Sequence, residues 1–81
     1  MTNSERIYKV IARVMDVPIS RINDESSPQN IESWDSFNGL VLADELESEF
    51  NLKFTMKEIE EVVSVADIKK CLKNHGEKFD D

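Results

Sequence analysis

Few residues in this chain have the type and spacing to do chemistry. Ser36 directly follows Asp35 and precedes the large apolar Phe37. Its hydroxyl is either a group for another enzyme to modify or a plain helix cap. No base stands next to it, so Ser36 is not an activated nucleophile. A Ser-His-Asp hydrolase would have to draft His75, the only histidine, and the chain has no Gly-x-Ser-x-Gly elbow. Cys71 and His75 lie four apart and would share a helix face, but two ligands do not make a metal site. A buried thiol and a histidine at a helix C-terminus account for that pair, and no metal is expected. Asp24 and Glu25 lack the alternating oxygen ligands and central glycine of a calcium loop. The chain is therefore expected not to be an enzyme.

The elements that would position Ser36 are legible in the pattern. Thr2 with Glu5 forms a capping box, and Ile7, Val10, Ile11 and Val14 follow at helical spacing. Asp16-Val17-Pro18 ends this first helix, because the residue before proline avoids the helical region. A long connection spans roughly residues 19–34, in which Ile19, Ile22, Ile31 and Trp34 are expected to point inward. The second helix starts at Asp35 or Ser36, with Asp35 as N-cap. Phe37, Leu40, Leu42, Ala43, Leu46 and Phe50 read as one wide apolar stripe, with Asp44, Glu45, Glu47, Ser48 and Glu49 facing water. Asn51 should end it. Thr55 with Glu58 marks a short third helix of about two turns, through Val62. Ser64 with Asp67 caps a fourth, in which Val65, Ile68, Cys71 and Leu72 face the core. Asn74-His75-Gly76 stops that helix, and residues 77–81 read as a polar, frayed tail. The expected fold is all-α, a small four-helix bundle with a long loop after the first helix.

Composition sets the bounds. At 81 residues the chain reads as one domain over 1–81, and 40% apolar content with two glycines and two prolines fits a folded, helix-rich chain. A single cysteine excludes an internal disulfide framework and suits a reducing compartment. No apolar run approaches a membrane span, and the first ten residues lack the layout of a signal peptide. A soluble, cytoplasmic protein is expected. The net charge is −7, yet residues 22–52 contain no Lys or Arg and alone carry −8. Such a surface repels nucleic acid and anionic lipid and attracts basic patches on partner proteins.

At Trp34-Asp35-Ser36-Phe37 the chain resembles the acyl carrier protein family, whose members present Asp-Ser and a large apolar residue at the start of the second helix. The similarity extends over about residues 5–73. It includes the acidic helix LVLADELESEFNLKF and the closing segment EIEEVVSVADIKKCL. The resemblance implies that Ser36 receives 4′-phosphopantetheine from coenzyme A through a separate transferase, which Asp35 helps to recognise. The thiol of that arm would hold acyl or aminoacyl cargo as a thioester. A helix N-terminus suits the phosphodiester, because it offers open N–H groups and partial positive charge.

The second helix would then dock loading and transferring enzymes, through Asp44 and Glu47 first, then Asp35 and Glu45, with Phe37 and Val41 as apolar contacts. Cargo would lie between the second and third helices, against Phe37, Leu46, Phe54, Ile59 and Val62. Trp34 stands where carriers of fatty-acid synthesis have a small residue, and Gly39, Val41 and Asp44 also depart from their pattern. A tryptophan before Asp-Ser looks more like stand-alone carriers of specialised pathways, such as polysaccharide modification or natural-product assembly. A monomer is expected. Two other readings compete: an unmodified acidic interaction module, and an acidic regulatory domain that binds a basic partner or cation.

Overall fold

The computed structural model describes residues 2–79 and contains four α-helices: α1 (Asn3–Met15), α2 (Ser36–Phe50), α3 (Met56–Glu61) and α4 (Val65–Asn74). The protein is an all-helical bundle of three longer helices and one short one. Each helix begins at the residue the pattern nominates. Thr2 and Thr55 close capping boxes with Glu5 and Glu58, and Ser64 accepts from the Asp67 N–H. Because those caps satisfy otherwise orphaned donors, the start points are set locally.

α1 and α2 end in left-handed residues, Asp16 at φ 56° and Asn51 at φ 53°. α1 thus stops at Met15, two residues before Val17, the position that Pro18 disfavours. The Val17 N–H reaches back to the Ala12 carbonyl to close the end (3.1 Å). Asn51 ends α2 in the same way, with its N–H on the Glu47 carbonyl.

Ile7, Val10, Ile11 and Met15 of α1, Leu42, Leu46 and Phe50 of α2, and Val65, Ile68 and Leu72 of α4 form the core. The long loop contributes Ile22, Ile31 and Trp34 to it. Ile19 departs from expectation: it starts a 3-10 turn (Ile19–Arg21) and is 45% exposed. That turn directs its side chain outward, and Ile22, one residue beyond the turn, is buried in its place.

The stripe on α2 also needs correcting. Leu42, Ala43, Leu46 and Phe50 are buried, but Phe37 is 73% and Leu40 54% exposed. At 100° per residue the apolar positions of α2 fall on two opposite faces. Leu42, Ala43, Leu46 and Phe50 share the inner one. Phe37, Leu40, Val41 and Asp44 share the outer one.

The tail packs further than its composition suggests. Asn3 Nδ2 donates to the Lys78 carbonyl (2.9 Å), and Phe79 packs against the core. Asp80 and Asp81, the rest of the expected frayed segment, lie outside the described residues. Among the described residues no helix is long and apolar enough to cross a membrane.

Candidate functional site

Ser36 is the first residue of α2 and is exposed. Its cap is the preceding residue: Asp35 Oδ1 accepts from the Asn38 N–H (2.8 Å), and the Asp35 carbonyl accepts from the Gly39 N–H (2.8 Å). The Ser36 and Phe37 N–H groups stay open at the positive end of the helix dipole. Among the described residues the Ser36 hydroxyl has no hydrogen-bond partner, so nothing in the fold competes for it.

A relay of three hydrogen bonds locks this junction to the end of α1. Ser33 Oγ donates to the Met15 carbonyl (2.7 Å), and Asn38 Nδ2 donates to the Ser33 carbonyl (2.7 Å). The Asn38 N–H then returns to Asp35 Oδ1. Ser33 and Asn38 therefore fix the direction in which Ser36 points. Sequence reading missed both, since their partners are distant or backbone groups that no spacing rule reveals.

Beside Ser36 opens a groove of about 530 Å³. Trp34, Gly39 and Leu40 line it on one side, and Ile59, Val62 and Val63 on the other. Trp34 is thus both core and groove wall: it is 4% exposed, yet it is part of this lining. Of the expected cargo contacts, Ile59 and Val62 line the groove. Leu46 is sealed in the core, Phe54 packs against the core from the α2–α3 connection, and Phe37 faces solvent on the outer side of α2. Leu40 and Val63 were not anticipated. The hydrophobic pattern marks them as apolar, but it does not tell an open groove from a closed core.

A family model described as the phosphopantetheine attachment site matches residues 5–72. The chain belongs to the phosphopantetheine-attachment family. A solved chain from Mycobacterium tuberculosis assigned as an acyl carrier protein superposes with a TM-score of 0.78. It is 21% identical, and the match covers 89% of this chain and 96% of that one, a likeness of fold. Members of this family are non-catalytic carriers whose prosthetic group is a 4′-phosphopantetheine joined to a serine. An accessible hydroxyl, open helix N–H groups and an adjoining apolar groove are what a phosphodiester-linked arm with an acyl end requires, so the residues present fit the group.

Of the expected partner-contact residues, Phe37, Val41 and Asp44 lie on the outer face of α2, whereas Glu45 and Glu47 are engaged by other parts of the fold. Asp44 is exposed and Val41 half-buried beside the exposed Phe37. Glu45 forms an open ion pair with Arg13 of α1 (3.7 Å). Glu47 is tied inward: its Oε2 accepts from the Phe54 N–H (2.7 Å) and anchors the connection to α3.

Proposed function

We propose that Ser36 is the serine that carries the phosphopantetheine arm, and that the protein presents acyl or aminoacyl thioesters to enzymes docked on the outer face of α2. The observation that carries this reading is the unengaged Ser36 hydroxyl at a capped helix N-terminus beside an apolar groove. Ser33, Ser64 and Ser26 are committed elsewhere: Ser33 donates to Met15, Ser64 caps α4, and Ser26 is buried and accepts from the Asn23 N–H. The arm's thiol supplies the thioester chemistry, while this chain's residues expose the attachment point and hold its approach open. Asp35 shapes the junction that a transferase must recognise.

Docking combines apolar and acidic contacts. Phe37, Leu40 and Val41 offer an apolar patch next to Ser36, and Asp44 adds charge one turn on. Glu47 is better read as a positioning residue, because the α2–α3 connection claims its carboxylate. Trp34 in the groove wall supports a role in a specialised pathway, since a bulky indole takes space beside the attachment point.

The test is intact mass after incubation with coenzyme A, Mg²⁺ and a broad-specificity phosphopantetheinyl transferase, with Ser36→Ala in parallel. A gain of one phosphopantetheine that the variant loses is the expected result. A gain retained by Ser36→Ala would move the arm to another serine. No gain with several transferases would favour an unmodified interaction module.

A further inference from the structure

Between α3 and the C-terminal end of α4, three side chains of metal-ligating type converge. Glu58 Oε2 stands 2.8 Å from His75 Nε2 and 3.2 Å from Cys71 Sγ, and the three ligand atoms lie within 4.8 Å of one another. Sequence supplies only the Cys71–His75 spacing. The fold brings the third ligand from another helix. The arrangement is also held in place. Glu58 Oε1 is taken by the Thr55 N–H (2.8 Å), which turns Oε2 toward the other two. The His75 N–H is bonded to the Cys71 and Leu72 carbonyls at the end of α4. The Phe54 ring meets the imidazole edge-on at 5.7 Å.

We propose that Glu58, Cys71 and His75 form a binding site for a zinc-class divalent cation that ties α3 to α4. One thiolate, one imidazole and one carboxylate make a borderline-soft donor set, whereas Mg²⁺ and Ca²⁺ call for oxygen ligands throughout. Tetrahedral Zn²⁺ with ordinary bond lengths separates such ligand atoms by about 3.3–3.6 Å. To reach that range the Glu58–His75 and Glu58–Cys71 separations of 2.8 and 3.2 Å must open by a few tenths of an ångström, which calls for small shifts of both the Glu58 carboxylate and His75 at its exposed helix end. A recess of about 130 Å³ beside the cluster, lined by Glu58, Cys71, Glu61, Lys70 and Asn74, gives access and room for water or Glu61 as fourth ligand.

Binding replaces the Cys71 S–H bond by a metal–sulfur bond and releases the proton to solvent. His75 binds as a neutral imidazole, so an Nε2 proton passes to solvent from the imidazolium or relocates to Nδ1 in the neutral ring, and no electrons change hands. Burial and the Glu58 carboxylate hold the Cys71 thiol up at about 12, so the free protein keeps it protonated until a cation competes for the sulfur. α3 buries none of its own residues. A cation at Glu58 therefore steadies the helix whose next residue, Ile59, walls the groove beside Ser36.

The site does not depend on the carrier reading, and its test uses unmodified Ser36→Ala protein so that no arm thiol is present. Zn²⁺ titration followed by calorimetry and thermal melting is expected to show one ion per chain and a higher Tm. Co²⁺ is expected to give a thiolate charge-transfer band. His75→Ala, at an exposed position that should fold normally, is expected to weaken binding at least about tenfold. Cys71→Ser, its fold checked by circular dichroism, should abolish the Co²⁺ band. Absence of a Zn²⁺-induced Tm rise, or binding that survives both substitutions, would overturn the proposal.

Discussion

Gly39 sits one turn into α2, where glycine costs helix stability and no left-handed backbone requires it. A methyl group at this position would meet only the Trp34 Nε1, at 3.8 Å, an ordinary contact. Gly39→Ala should therefore stabilise the protein by roughly 1 kcal/mol through helix propensity. In a domain of this size that raises Tm by about 4–8 °C. A lower Tm would mean that the indole cannot share the space, and that the glycine keeps the groove wall clear beside Ser36. At this scale the sequence is informative wherever a residue acts on its own neighbours. Asp35, Thr2, Thr55 and Ser64 cap helices by accepting from the backbone N–H three positions on, so their roles follow from spacing. Ser33 and Asn38 act across the fold or onto loop carbonyls, and only coordinates reveal them.

Among the elements, α2 and α3 show where periodicity stops being decisive. The apolar residues of α2 divide between an inner face that packs on α1 and an outer face that surrounds Ser36. A list of apolar positions does not separate the two until angles are assigned. α3 is defined by its cap more than by its packing, and Glu58 carries that cap. The Thr55 N–H, followed by the Cys71 thiol and His75, holds the Glu58 carboxyl down at about 2, against the usual value of about 4.3. A depressed folded-state value means that the ionised group stabilises the fold at neutral pH. That contribution is lost as pH falls from about 5 toward 2. Glu58→Gln keeps a neutral acceptor for the Thr55 N–H but removes the charge. With a chelator present, the variant should melt below the parent at pH 7, and the gap should close as pH approaches 2. A gap of constant size across that range would assign the effect to packing.

Charge governs the molecule as a whole. Residues 22–52 carry no cation, and the acids of α2 are partly answered by α1: Arg6 bonds Glu49 at 2.9 Å and stacks over Phe50, and Arg13 approaches Glu45. On the opposite side Lys69 pairs with Asp24 at 2.8 Å. These pairs join elements but leave a net charge of −7, and a solvent-open pair such as Arg13–Glu45 contributes little. Like-charge repulsion should then dominate the salt response of the fold. Raising NaCl from about 0.05 to about 0.5 M shortens the Debye length from roughly 14 Å to roughly 4 Å, screening the repulsion between helices. Tm is expected to rise over that range. The same screening should weaken encounter with a transferase or other partner that offers a basic patch to Asp44, lowering kcat/KM for arm transfer to Ser36 as salt increases. The two effects have opposite signs, so they separate fold from docking in one series of buffers. A Tm that falls with salt would place the ion pairs above the repulsion. A salt-independent kcat/KM would assign docking to the Phe37–Leu40–Val41 patch alone.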